Sequence, residues 1–134
     1  MRMKRMALLF CLSAVAPPAL ATPATDAEFA KFKAAGAKDF SAASGKQLWD
    51  KTFQSVEGDK RSCTTCHGPD LNKSGKHAKT SKVIEPMATT VNPKRYTDEE
   101  KIEKWFKRNC EWVMGRECTA QEKGDILQFL LSVK

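Results

Sequence analysis

The sequence predicts an all-α fold, and three observations predict it. Two capping boxes, Thr97 with Glu100 and Thr119 with Glu122, each precede apolar residues at helical spacing. No alternating apolar–polar pattern runs for more than a few residues, so no half-buried strand of ordinary length is expected. At 134 residues the chain is the length of one domain.

The first segment is expected to stand outside that domain. Arg2, Lys4 and Arg5 give a basic start, Met6 to Ala16 is a mainly apolar run, and Pro17-Pro18 breaks it before Ala19-Leu20-Ala21, a small-residue cleavage site. This order reads as a secretory signal peptide over residues 1–21, leaving 22–134 as the domain and the periplasm as its compartment. The apolar run is too short to span the roughly 30 Å hydrocarbon core, so the mature chain is expected to carry no membrane anchor. A lipid anchor on Cys11 is disfavoured because Leu8-Leu9-Phe10 lacks the small residues such processing needs.

Within the domain, Asp26 is placed to cap a short helix with Phe29 and Phe32 on one face. Ser41 to Phe53 reads as a second helix carrying Leu48, Trp49 and Phe53, and Glu57-Gly58-Asp59 interrupts the pattern. From Ser62 to Tyr96 there is little periodicity, with Gly68, Pro69, Gly75, Pro86 and Pro93 along the way, so a long loop is expected. A loop of that length inside a small domain is unusual unless it wraps something. After Thr97, with Asp98 and Glu99 in the first turn where the helix dipole favours anions, come Ile102, Trp105, Phe106, Cys110 and Val113, and Gly115 ends the helix. Ile126, Leu127, Leu130, Leu131 and Val133 define a last amphipathic helix.

Signal cleavage would remove three basic residues and no acidic one, taking the formal charge from +7 to +4. No basic run is interleaved with aromatics, which argues against nucleic acid; a mildly basic surface suits an acidic redox partner better. Cleavage also removes Cys11 and leaves Cys63, Cys66, Cys110 and Cys118. Four cysteines in an exported chain invite a two-disulfide reading, but the first pair has another use.

Cys63-Thr64-Thr65-Cys66-His67 is the most informative segment. Two thiols at this spacing can add across the two vinyl groups of one porphyrin, and the following histidine then lies beneath the iron. This is the attachment pattern of one covalent haem c, with His67 as an axial iron ligand. A structural zinc site would need further Cys or His ligands, and His77 is the only other histidine. A thioredoxin-like redox pair does not require the histidine and lacks its strand–helix setting. A haem would also supply the centre of the core that a small, loop-rich domain lacks.

The second axial position has several candidates by residue type. Met87 follows Pro86 in the loop, Met114 ends a helix, and His77 sits in the polar run Lys76-His77-Ala78-Lys79 that suits a solvated side chain. Asn109 lies seven residues after Ile102, four after Trp105 and three after Phe106, on the apolar face of its helix. An amide there is costly without a partner, and either a backbone group or an iron would serve. Arg95 and Tyr96, just before this helix, and Lys82 in the loop are candidates to pair with the haem propionates.

The chain carries Ser62-Cys63-Thr64-Thr65-Cys66-His67-Gly68, Val83-Ile84-Glu85-Pro86 and Pro93-Lys94-Arg95-Tyr96-Thr97-Asp98 in order. It continues with Glu103-Lys104-Trp105, Arg108-Asn109-Cys110, Gly115-Arg116-Glu117-Cys118-Thr119 and Glu122-Lys123. This series, from about Gly45 to Leu131, resembles the sphaeroides haem protein family of bacterial c-type cytochromes. The resemblance implies a class I cytochrome c-like helical fold around one covalently bound haem. It implies that Asn109, immediately before the first disulfide cysteine, binds ferric iron, where the related cytochrome c″ type has histidine. It pairs Cys110 with Cys118, gives Met87 no role at the iron, and implies release of the asparagine on reduction so that O₂ or NO can bind. It further implies electron supply from a dihaem cytochrome c. No distal acid–base pair is evident that would establish NO or O₂ turnover as catalysis. The competing reading is a simple electron shuttle with Met87 as a permanent ligand.

Overall fold

The computed structural model describes residues 21–134; the proposed signal peptide lies, but for Ala21, outside the described residues. Five helices and two short ribbons follow one another along the chain.

Helix α1 spans Pro23–Ala34. It starts earlier than the Asp26 cap expected from sequence: Thr22 is the cap, its hydroxyl accepting from the Thr25 amide while the Thr25 hydroxyl accepts from the Thr22 amide. Pro23 occupies the first turn, where its missing N–H costs nothing and its φ is already helical, and this moves the start upstream of Asp26. Helix α2 spans Ala42–Asp50, capped by Ser41. It stops three residues short of the expected Phe53, because the chain turns extended at Lys51 and Phe53–Gln54 forms strand β1. Strand β1 pairs antiparallel with β2, Lys60–Arg61. The one-turn helix α3, Thr64–His67, follows, then the ribbon β3, Gly75–Lys76, with β4, Val83–Ile84. The segment expected as loop is thus mostly turns, with one helical turn and one two-residue ribbon inside it.

Helix α4 spans Glu99–Met114 and is capped by Asp98, whose carboxylate accepts from the Lys101 amide. The expected Thr97–Glu100 capping box does not form: the cap moves on by one residue to Asp98 alone, and the Thr97 hydroxyl donates instead to the Lys94 carbonyl. Gly115 closes α4 in the left-handed conformation, φ +70°. Helix α5, Ala120–Ser132, has the reciprocal Thr119–Glu122 cap that the sequence predicts.

The core lies where α2 crosses α5, with α1 and α4 flanking. Trp49, Leu71, Met87, Cys110, Cys118, Ile126 and Leu130 form one buried cluster. Phe32, Leu127 and Leu131 form a second, with Phe29, Phe40 and Phe106 against it. Phe32 meets Phe106 edge-on at 6.2 Å, and Lys31 bridges Glu28 of α1 to Glu103 of α4 at 2.6 and 3.2 Å, joining those helices.

The crossing of α2 on α5 depends on Gly45. A Cβ there would lie 1.9 Å from the Asp125 carbonyl oxygen, which is backbone and cannot step aside. Gly45→Ala is expected to lose about 3 kcal/mol of stability by overpacking. The gain of about 1 kcal/mol in helix propensity is smaller and does not offset it. Urea denaturation reads the difference; a variant as stable as the parent would show that the helices can separate at little cost.

Candidate haem site

The Cys63–His67 turn brings two thiols and one imidazole onto a single turn of chain. Ser62 starts it, its amide donating to the Thr65 hydroxyl at 3.0 Å, and Gly68 ends it at φ +72°. Gly75 lies against its back: a Cβ there would be 2.2 Å from the Cys66 carbonyl oxygen. The β3–β4 ribbon is thereby seated on the cysteine turn.

Cys63 and Cys66 are both free thiols and partly buried. Burial pushes the Cys63 thiol up to about 12, so it remains protonated. A disulfide-exchange or zinc-binding pair needs thiolate. No cluster suited to a metal ion occurs among the described residues. The Cys66 sulfur accepts the Ala78 amide at 3.4 Å.

His67 is also set apart from ordinary buried histidines. Its Nδ1 is buried without a hydrogen-bond partner. Burial, with the Arg95 guanidinium second, pushes its pKa down to about 4, so the imidazole is neutral, the form that ligates a metal. Trp49 of α2 holds the ring from one side, with centroids 5.2 Å apart. Two free thiols on one turn beside a neutral, unpartnered imidazole fit the donor set of a covalently attached haem. Sequence reasoning placed Trp49 only as an apolar helix residue; its contact with His67 has no short-range sequence signal.

The other candidates fall in different settings. Met87 is buried in the larger core cluster, its amide donating to the Leu71 carbonyl at 3.0 Å. The Met114 sulfur lies 3.7 Å from that of Cys118. His77 is exposed, and its Nδ1 accepts from the amides of Lys79 and Thr80 in a local turn. Arg95 donates through Nε to the Pro86 carbonyl at 3.0 Å and through Nη2 to that of Glu85 at 2.6 Å, with Nη1 left over. Tyr96 donates its hydroxyl to the Met87 carbonyl at 2.9 Å, which engages the proton a propionate would need. Lys82 is exposed, at the ribbon turn.

Asn109 departs from the sequence expectation in one respect. The apolar stripe of α4 is not buried along its whole length: Ile102 is buried and Phe106 partly so, but Trp105 is 49% exposed and Asn109 is exposed. The cover changes along the helix. The first half of α4 packs on α1, whereas the second half is held through Cys110 and Trp112, and neither contact covers the Asn109 side chain. The protein's own core therefore does not pair the amide.

The residue after it is fixed. Cys110 and Cys118 form a disulfide with Cα atoms 5.6 Å apart, linking the last turn of α4 to the cap of α5.

Comparison with known proteins draws these features together. A family model described as a domain of unknown function (DUF1924) matches residues 35–130. The cytochrome c-type protein SHP of Cereibacter sphaeroides is 42% identical over 127 residues, 93% of this chain and 98% of the relative. Cytochrome c″ of Methylophilus methylotrophus is 34% identical over 88 residues, 66% of this chain and 61% of its own length. Among solved structures, oxidised SHP, described as an oxygen-binding cytochrome c, superposes with TM-score 0.73 at 40% identity, covering 79% of this chain and 94% of that one. Oxidised cytochrome c″ from Methylophilus methylotrophus superposes with TM-score 0.71 at 28% identity, covering 83% and 95%. The helical fold is that of these class I-like cytochromes, and the chain belongs to the sphaeroides haem protein family.

Proposed function

We propose that this chain is an exported monohaem c-type cytochrome whose second axial ligand is released on reduction so that a diatomic molecule can bind. The observation that carries the reading is the pairing of two free thiols on one turn with a neutral, unpartnered imidazole, in a chain 42% identical to a cytochrome of the same family. When bound, a haem supplies an iron that changes oxidation state and accepts axial ligands. Cys63 and Cys66 would hold its edge through thioethers, and His67 would present its imidazole to the iron, steadied by Trp49. Asn109 would provide an amide oxygen, a hard and weak donor that suits ferric better than ferrous iron. Its exposed side chain, on a helix end fixed by a disulfide, can move without unravelling α4.

Arg95 would meet a propionate with the Nη1 that its bonds to the Pro86 and Glu85 carbonyls leave over, and Lys82 would do so from the ribbon turn. The O₂ affinity named for the relative, and NO by the same chemistry, are assigned here to the position Asn109 leaves. The compartment is the periplasm, reached with the signal peptide of residues 1–21, and the electron donor is a dihaem cytochrome c or a similar acidic redox protein. Electron transfer with diatomic binding is the activity; turnover of NO or O₂ is not required by it.

A spectrum of the reduced protein with and without CO tests the reading. Expected are high-spin ferrous features in the absence of CO and a low-spin spectrum on its addition. A ferrous protein that is low-spin and indifferent to CO would favour the shuttle with permanent Met87 ligation.

A further inference from the structure

We infer that Arg61 is a positioning residue that ties the Cys63–His67 turn to the end of α4, keeping Asn109 within reach of the iron after it lets go. This rests on the reading of Asn109 as the releasable ligand.

Arg61 ends β2, two residues before Cys63. Its side chain is only 5% exposed, a rare state for arginine unless its charge is paired. Here it is paired twice. Nε donates to Asp59 at 2.8 Å, and Nη2 donates to the other oxygen of Asp59 at 2.9 Å and to Glu57. Asp59 is itself held by the Ser55 hydroxyl, and Lys79 approaches Glu57 at 3.4 Å. The guanidinium beside them holds both carboxyls below the usual carboxylate range. The fork is thus fixed on the β1–β2 turn.

The remaining donor reaches α4. Nη1 donates to the Trp112 carbonyl at 3.1 Å, and the guanidinium carbon lies 4.4 Å from the centre of the Trp112 ring. Trp112 is in the last turn of α4, whose final carbonyls have no partner within the helix. A cation at that end is also favoured by the helix dipole. Arg61 therefore serves as a cap for α4 supplied by another segment.

Its position decides what the cap does. Trp112 is three residues after Asn109 and Cys110 is one after it. The disulfide ties this helix end to α5, whereas Arg61 ties it to the segment bearing His67. If His67 and Asn109 address opposite faces of one iron, Arg61 is the short connection between their backbones outside the iron itself. Release and return of the amide then become side-chain motions, which are faster than movements of a helix.

The test uses the haem-loaded protein with Arg61→Met, which keeps the length and apolar contact but removes the donors, and Arg61→Lys, which keeps the charge but not the fork. Leu131→Ala, in the core beneath α1, serves as a variant destabilised elsewhere. Three readouts are taken: the high-spin fraction of the ferric spectrum, the rate at which the ferric low-spin spectrum returns after rapid oxidation, and amide exchange over residues 113–117. In Arg61→Met the return rate should fall about tenfold, as expected for a reacting group displaced by a fraction of an ångström. The ferric high-spin fraction should rise and exchange at the end of α4 should quicken. Arg61→Lys should lie between, and Leu131→Ala should change neither return rate nor local exchange. An unchanged return rate in Arg61→Met, or an equal fall in Leu131→Ala, overturns the assignment. Should Arg61→Met not hold haem, Arg61→Lys decides on the same criteria. Asn109→Ala measured alongside separates the two readings: an unaltered ferric spectrum there overturns the ligand reading and this one with it. An altered spectrum with an unchanged return rate in Arg61→Met overturns the role of Arg61 alone.

Discussion

Asn109→Ala is expected to convert the oxidised protein from a low-spin, amide-ligated form to one that is open or water-ligated, while the reduced protein still binds CO or NO. Three arguments converge on this residue. The amide is exposed and no protein group pairs it, so a change to alanine leaves no buried partner unsatisfied and should cost α4 little. Alanine is in fact the better helix former, so stability should hold or rise by a few tenths of a kcal/mol. A spectral change without a stability change is what a ligand, rather than a packing residue, would give. An amide oxygen also loses affinity as iron softens on reduction, so the ferrous spectrum should be nearly the same in parent and variant. Asn109→His supplies the complementary result: imidazole is the stronger ligand, and it should hold the ferric iron low-spin and slow ligand entry after reduction. If Asn109→Ala left the ferric spectrum alone and Met87→Leu altered it, the shuttle reading would replace this one.

The helical frame could be read from sequence because its signals are local. Thr119 with Glu122 cap each other as read, and Gly115 closes α4 because a left-handed residue was needed there. Where two residues able to cap stand side by side, the motif chose the wrong one: Thr97 was read as the cap and Asp98 as part of the first turn, but Thr97 bonds the Lys94 carbonyl and Asp98 caps the helix. Pro23 moved the start of α1 in the same way. At the site, the Cys63–His67 turn is contiguous and therefore visible, whereas the contacts made across the chain were not. Arg61 meets Trp112 over 51 positions, and Trp49 meets His67 over 18, contacts that no periodicity encodes. The burial of the α4 stripe was misjudged for a related reason. Helical spacing tells which residues share a face, but the neighbouring elements decide how much of that face they cover, and α1 reaches only the first half.

Replacing Cys63 and Cys66 by alanine together should abolish covalent haem and leave a chain that is largely unfolded. The turn they occupy is held by backbone bonds to residues 62–64 and by the Ser62–Thr65 contact, which are local and weak on their own. Between Ser62 and Tyr96 only Leu71, Met87 and Ala88 are buried apolar residues, too little to order 35 residues against a backbone cost of about 1–2 kcal/mol each. A group bonded through both sulfurs adds apolar surface at that point and closes the segment to the rest of the domain. Loss of the disulfide is the useful contrast: in the chain-entropy model, closing the eight-position span contributes only about 2.5 kcal/mol, so Cys110→Ala with Cys118→Ala should lower the urea midpoint yet keep the haem. His67→Ala should keep the covalent bonds but lose the axial ligand. Acid-acetone extraction followed by mass measurement distinguishes these cases directly: haem must stay on the chain in His67→Ala and in the disulfide variant and leave in the double variant. Haem that survived extraction from the variant lacking both Cys63 and Cys66 would mean that neither sulfur is its attachment point.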